Sequence, residues 1–222
     1  MPSSPGAKLT LNDVARGCGV SRATVSLVLR GSPLVHPDTR AKVEAEIRRI
    51  GYIYNRAAAN LRSRSSSSVA LVINDLSNPF FAEFATGVDE ALAGAGCVTL
   101  LGSTGESTQR QQAVLSSLIE HAPAGIILSP AEGSDGSAIA KAVGRHVPVL
   151  VFNRELDGEW DFLAMENQRG AMLATQHLIA LGHRRIAFFG GHRDSSSCRK
   201  RHQGYLAALA AAPAAIAGEG MW

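Results

Sequence analysis

Residues 10–31 have the sequence TLNDVARGCGVSRATVSLVLRG, which predicts two short helices joined by a tight turn. Thr10 followed by Asp13 is a helix start signal, because the hydroxyl and the carboxylate can pair with free backbone N–H groups of the first turn. The segment Gly17–Val20 supplies the turn, and Ser21 is a favourable N-cap for the second helix. The pattern therefore predicts a helix-turn-helix unit.

A third helix is predicted over Pro37–Ile50, with Gly51 just past its end. Farther along, residues 62–68 read RSRSSSS, which is typical of a flexible linker, and we place the domain boundary there. The predicted organisation is a helix-turn-helix headpiece at 1–55, a hinge and linker at 56–68, and a larger domain at 69–222.

Charge is distributed unequally between these parts. Residues 1–64 carry 11 Lys and Arg against 4 Asp and Glu, whereas residues 65–222 carry 11 against 15. A basic head on an acidic body indicates that the head binds a polyanion, with nucleic acid as the first candidate. The alternative is a basic helix pair that is merely well solvated.

The larger domain is predicted to be α/β, because short apolar runs alternate with helical patterns. A first lobe, about 69–158, should form a parallel doubly wound sheet, and a second set of elements should form an incomplete second lobe at about 159–222. The first set has strands at 69–73, 98–101, 126–128 and 149–152 and helices near 80–95, 107–120 and 136–146; the second has strands near 162–165 and 186–189 and helices near 167–181 and 199–211.

A helix-turn-helix places its second helix in the DNA major groove. Arg22 can pair bidentately with guanine, and Ala23 can contact a thymine methyl group. Ser21 and Ser26 can donate hydrogen bonds to phosphates. The alternative is a helical hairpin with an incidental arginine.

The headpiece resembles that of the LacI/GalR family of bacterial transcriptional regulators. The residues that carry the resemblance are TLNDVA at 10–15, GVS at 19–21, TVS at 24–26, then Thr39, Arg40, Val43, Gly51, Tyr52 and Asn55. The resemblance implies a major-groove set, with two further residues near the DNA backbone. The set is Leu11, Ser21, Arg22, Ala23, Ser26 and Leu27, and the two further residues are Tyr52 and Asn55; Leu27 stands where the family commonly has a basic residue.

The resemblance also implies that the segment after Asn55 becomes a hinge helix on the operator. Arg56–Ser63 contains Leu61, which matches the leucine that family members insert into the minor groove. An apolar wedge unstacks a base step, and the resulting bend permits more contacts. The alternative is an ordinary linker with one leucine.

For the body, the resemblance implies a two-lobed, periplasmic-binding-protein-like domain with an effector cleft. Asn78 and Pro79 are explained as a helix start, but the Asn-Pro-Phe-Phe motif makes the two rings cleft candidates. Asn153 stands where relatives carry an acid or amide that binds the effector, although it can equally be a turn residue. Arg201 matches an effector-binding arginine, while Arg199 and Lys200 are interpreted as a solvated helix face. The predicted effector residues are Phe80, Phe81, Asn153 and Arg201.

Several classes of function find no support in the sequence. No phosphate-binding loop, nucleophile elbow or metal-ligand spacing is present, so no enzyme activity, cofactor or metal is predicted. The N-terminus has no apolar signal segment and no stretch is long enough to span a bilayer, which predicts a cytoplasmic protein without a membrane partner. An enzyme with a borrowed helix-turn-helix and a sugar-binding transport protein are the competing classes.

The sequence thus predicts a repressor that binds a palindromic double-stranded operator as a homodimer and responds to a sugar or nucleoside-like effector. The resemblance fades after Ala212, where relatives continue. We accordingly expect a C-terminally truncated product that keeps its DNA-reading residues, whose cleft lacks part of one wall and binds no effector tightly. Its unpaired strand edges and apolar helix faces are expected to make the body marginally stable.

Overall fold

The computed structural model describes residues 9–54, 66–144, 147–191, 194–212 and 217–221. The chain divides into two compact units, Met1–Ser63 and Arg64–Trp222. The first unit contains three helices, α1 (Leu11–Cys18), α2 (Arg22–Leu29) and α3 (Pro37–Ile50). The three helices predicted from the sequence are therefore confirmed.

One small apolar core holds these three helices together. Val14 of α1, Val25 of α2 and Val43 of α3 are fully buried at its centre. The helix ends follow local chemistry: the carboxylate of Asp13 accepts from the backbone N of Thr10 at 2.9 Å. The hydroxyl of Ser21 accepts from the backbone N of Thr24 at 3.0 Å. Gly19 and Gly51 end α1 and α3 at φ 65° and 68°, the left-handed conformation that favours glycine.

The second unit contains a five-stranded parallel sheet. Its strands are β1 (Ser68–Ile73), β2 (Val98–Ser103), β3 (Ile126–Leu128), β4 (Val149–Phe152) and β5 (Asp161–Leu163), and they lie in the order β2-β1-β3-β4-β5. Alternate residues of β1 enter two different cores, Ala70 and Val72 on one face, Leu71 and Ile73 on the other. Helices cover both faces, as the predicted doubly wound arrangement requires. These helices are α4 (Pro79–Gly94), α5 (Thr108–Glu120) and α6 (Gly136–Val143).

The remaining elements are α7 (Asn167–Ala180), β6 (Arg185–Phe189), α8 (Ser196–Ala210) and β7 (Ala217–Met221), in which β6 and β7 form a parallel pair. Helices α7 and α8 pack backbone to backbone, since a Cβ on Gly204 would lie 2.0 Å from the carbonyl oxygen of Gln168. The hydroxyl of Tyr205 on α8 donates to the carbonyl of Ile186 on β6 at 2.7 Å. Large apolar side chains in this region are exposed, among them Leu173, Leu181 and Phe189.

Two expectations for this region were wrong or incomplete. The apolar run near 162–165 was predicted to begin the second lobe, but β5 pairs with β4 and is a strand of the first sheet. An apolar run has the same appearance whichever sheet it joins, because pairing depends on contacts distant in sequence. Strand β7 was not predicted, since its sequence Ala-Gly-Glu-Gly-Met lacks the β-branched and aromatic residues typical of strands.

In the parts of the chain that the structure describes, no helix combines the length and the apolar composition needed to cross a bilayer.

Candidate functional site

The beginning of α2 presents three consecutive exposed residues, Ser21, Arg22 and Ala23. The hydroxyl of Ser21 is the N-cap of the helix and also lies 2.9 Å from the hydroxyl of Thr24. Within residues 9–54, no hydrogen bond or ion pair engages the guanidinium of Arg22. Ser26, one turn farther on, is half-buried. Arg22 and Ala23 therefore expose their side chains on a helix that the core holds in place.

Three other predicted DNA-binding residues pack against the headpiece core. Leu11, Leu27 and Tyr52 are half-buried there, so much of each side chain stabilises the unit. Burial, together with the neighbouring Tyr54, raises the pKa of the Tyr52 hydroxyl. The predicted contacts of Asn55 and Leu61, and the hinge at 56–63, lie outside the described residues.

A buried polar network lies at the carboxyl edge of the five-stranded sheet. Asn74 follows β1 and Ser129 follows β3, and both are almost completely buried. The side-chain amide of Asn74 donates to Oε2 of Glu106 at 3.1 Å and to the carbonyl of Pro130 at 2.9 Å. The hydroxyl of Ser129 donates to Oδ1 of Asn74. These bonds tie the loops after β1, β2 and β3 to one another.

Glu106 and Arg154 form a bidentate ion pair inside this network. Nη1 of Arg154 lies 2.7 Å from Oε2 of Glu106, and Nη2 lies 2.8 Å from Oε1. Burial disfavours the charged carboxylate, but the hydrogen bonds and charge of Arg154, with the N–H of Glu132 and the amide of Asn74, outweigh it. The pKa of Glu106 is therefore held below its usual value. The pair joins the loop after β2 to the loop after β4.

An open pocket of about 150 Å³ lies beside this network, between the sheet edge and the beginning of α8. Its walls are the loops 130–134 and 154–157 and residues 194–196 with Arg199. The backbone N of Glu155 donates to the hydroxyl of Ser196 at 2.9 Å, and Lys200 forms an ion pair with the carboxylate of Glu155. In parallel sheets, ligands bind outside the carboxyl ends of the strands, which is where this pocket lies.

The two predicted phenylalanines occupy a different place. The ring of Phe81 is 4% exposed and packs in the core with Leu71 and Phe152, so its contact with an effector stays a prediction. Helix α4, whose N-cap is Asn78, points this side chain into the sheet. Phe80 is half-buried and lies parallel to Phe152 at a centroid distance of 6.0 Å. Neither ring lines the pocket.

Asn153 and Arg201 lie near the pocket without lining it. Asn153 adopts a left-handed conformation at φ 68°, and its backbone N donates to the carbonyl of Leu163 at 2.9 Å. It therefore has the turn role that the sequence left open. Nε of Arg201 donates to Oδ1 of Asn167 at 2.7 Å, which joins α8 to the first residue of α7.

Sequence reasoning missed the polar residues that do line the pocket. Arg199 was interpreted as part of a solvated helix face, yet it borders the pocket and donates to the backbone carbonyl of Asp194. Lys200, interpreted in the same way, forms the ion pair with Glu155. The one available signal was position, since Arg199 lies in the first turn of a helix that follows a strand. Across the described ranges, no three His, Cys, Asp or Glu side chains are placed to hold a metal ion.

A helix-turn-helix unit followed by a parallel α/β body with a pocket at the sheet edge defines a class of two-unit bacterial regulatory proteins. Residues 10–55 match the family model described as bacterial regulatory proteins, lacI family. Residues 66–217 match the model described as periplasmic binding proteins and sugar binding domain of LacI family. The chain belongs to the LacI family.

Relatives of known function are similar along most of the chain. The maltose regulon regulatory protein MalI of Escherichia coli is 36% identical over 91% of this chain and 59% of its own length. The regulator GalR of Escherichia coli is 33% identical over 90% and 59%, and CelR of Thermobifida fusca is 35% identical over 91% and 62%. The chain thus spans about three fifths of the length of these curated relatives.

Solved structures share the fold. The lac repressor dimer bound to operator and the anti-inducer ONPF has a TM-score of 0.80 and 25% identity, covering 96% of this chain and 65% of that one. The CelR–cellobiose complex has a TM-score of 0.57 and 31% identity, covering 96% and 66%.

Proposed function

We propose that this chain is a sequence-specific DNA-binding transcriptional regulator, a repressor that binds a palindromic operator as a homodimer in the cytoplasm and has no catalytic activity. The observation that carries the proposal is the exposed Arg22 at the start of α2, whose guanidinium has no hydrogen bond or ion pair within residues 9–54, in a basic headpiece. Relatives are regulators of the maltose regulon and the ribose operon, and the lac repressor has been solved as a dimer on its operator.

The physical argument rests on geometry and charge. A helix of eight residues reads only a few base pairs, and twofold symmetry doubles the number read. Arg22 and Ala23 can read base edges in the major groove, because the first is a planar donor fork and the second is a small apolar group. The excess of Lys and Arg in residues 1–64 supplies the phosphate attraction and makes affinity depend on salt.

Arg22→Ala should weaken binding to the preferred duplex about tenfold and relax the base preference at one position of each half-site. Random duplexes are first selected with the purified protein, and affinities are then measured for the selected palindrome and a scrambled duplex. Arg48→Ala, which removes an exposed charge from the last turn of α3, is the matched control. A uniform loss on both duplexes would identify Arg22 as a phosphate contact, and equal wild-type affinity for both would refute sequence-specific reading.

We also propose that the pocket beside Arg154 is the effector site and that the effector is a sugar or nucleoside-like molecule. Its lining is polar and includes the guanidinium of Arg199, the carboxylate of Glu132 and the hydroxyl of Ser134, which also pairs with Gln111 and with the carbonyl of Ala131. Planar guanidinium groups suit such ligands because they donate two parallel hydrogen bonds. The relative CelR has been solved with cellobiose.

Arg199→Ala should weaken sugar binding about tenfold, because it removes a charged donor from the pocket wall. Titration calorimetry with maltose, cellobiose, galactose and ribose identifies the best ligand for the unmodified chain, and the variants follow with that ligand. Arg169→Ala, an exposed arginine on α7, serves as the control. If Arg201→Ala abolishes sugar binding while Arg199→Ala leaves it unchanged, Arg201 is the effector-binding arginine, as the sequence predicts, and the proposal for Arg199 is wrong.

A further inference from the structure

Helix α2, which carries Arg22 and Ala23, is short and has few charges of its own. It contains eight residues, and its fully or nearly buried side chains are Val25 and Val28. It has no acidic residue in its first turn and no basic residue in its last turn. The favourable charges that usually accompany helix ends are therefore absent from residues 22–29, and the nearest cation in sequence is the exposed C-cap, Arg30.

A side chain from the next helix supplies the missing charge. Arg40, in the first turns of α3, directs its guanidinium to the end of α2. Nη2 of Arg40 donates to the carbonyl of Ser32 at 2.6 Å, and Nη1 donates to the carbonyl of Val28 at 3.4 Å. The carbonyls at the end of a helix carry partial negative charge, so a cation at this place is stabilising.

We propose that Arg40 is a positioning residue for DNA reading: it clamps the end of α2 and the loop after it to α3 and thereby sets the orientation in which Arg22 meets base edges. The inference rests on the proposed function. A guanidinium presents its donors in a rigid fork, so one side chain can hold two carbonyls of different segments. A lysine at this position would keep the positive charge, but its flexible side chain would not fix the directions of the two hydrogen bonds.

The competing role for Arg40 is a phosphate contact, and burial argues against it. The side chain is half-buried, and two of its nitrogens already donate to backbone carbonyls. The two roles differ in one testable respect. A phosphate contact depends mainly on charge, so lysine should replace arginine with little loss on any duplex. A clamp depends on the geometry of the guanidinium group. Arg40→Lys should therefore keep the affinity for non-specific DNA and lose part of the affinity for the specific duplex.

The test compares the full chain with Arg40→Lys, Arg40→Ala and the charge-matched control Lys42→Ala, an exposed residue of the same helix. Each protein is titrated with the duplex selected by the unmodified chain and with a scrambled duplex, and thermal unfolding confirms that it is folded at the assay temperature. We expect Arg40→Lys to lose about tenfold on the selected duplex and less than about twofold on the scrambled one. Lys42→Ala should weaken both by the same small factor.

The outcomes separate the clamp from the proposed function. If Arg40→Lys keeps the unmodified ratio of specific to non-specific affinity, the clamp is overturned while the regulator assignment stands. If the unmodified chain enriches no duplex, the regulator assignment and the clamp both fail. If Arg40→Ala proves unfolded, Arg40→Lys decides the question alone.

Discussion

Replacing Gly204 with alanine should destabilise the second unit by about 3 kcal/mol. The new Cβ would lie 2.0 Å from the carbonyl oxygen of Gln168 and 3.0 Å from the backbone N of Met172. Both atoms belong to the backbone of α7, so no side-chain rotation can relieve the clash. Helices α7 and α8 would have to move apart, which opens the contact that holds them together.

Gly170→Ala is the matched control, because Gly170 also lies within a helix and no atom stands within 4 Å of its would-be Cβ. That variant should be neutral or more stable by about 0.5–1 kcal/mol, since alanine loses less conformational entropy on folding. Urea unfolding followed by circular dichroism measures both free energies. Similar values for the two variants would show that the α7–α8 contact does not limit stability.

Arg154→Met should cost about 3 kcal/mol of unfolding free energy at neutral pH. The change leaves the partly buried carboxylate of Glu106 without its bidentate partner, which costs several kcal/mol in a fully buried site. The side chains of Arg154 and Glu106 are 15% and 31% exposed, and solvent screening therefore places the loss at the low end of that range. Arg169→Met, which removes an exposed arginine, should change stability by less than about 0.5 kcal/mol.

The effect of Arg154→Met on stability should also depend on pH, and the titration of Glu106 sets the direction of that dependence. The pKa of Glu106 is lower in the folded chain than in the unfolded one. Its ionised form therefore stabilises the fold above the unfolded pKa of about 4.3, and this contribution is lost as pH falls through the folded pKa. The cost of Arg154→Met should thus shrink as pH falls below the unfolded pKa, and a cycle with Glu106→Gln should give a smaller coupling energy at pH 3 than at pH 7. A coupling energy unchanged between pH 7 and pH 3 would contradict the ionic account.

Local features of the fold could be predicted because local chemistry determines them. The ends of the headpiece helices follow from caps at Thr10 and Ser21 and from left-handed Gly51. The start of α4 follows from Asn78, whose side chain accepts from the backbone N of Phe80 at 3.1 Å. The strands β1, β3 and β4 follow from short apolar runs buried on both faces. In each case the deciding residues lie within a few positions of one another.

The candidate pocket could not be predicted, because its residues meet across long separations in sequence. Glu106 and Arg154 are 48 residues apart, and nothing in their neighbourhoods indicates that they pair. Strand β5 was assigned to the wrong sheet for the same reason. The burial of Phe81 could not be predicted either, because the Asn-Pro-Phe-Phe motif identifies the segment but does not show which of the two adjacent rings faces the core.

The left-handed backbone of Asn153 also limits which residues can replace it. At φ 68° a side chain branched at Cβ is strained, whereas asparagine, aspartate and glycine are tolerated. Evolution can therefore exchange an amide for an acid here at little cost in folding but cannot easily install a valine or an isoleucine. A change of ligand preference should therefore arise more readily at residues that line the pocket than at Asn153.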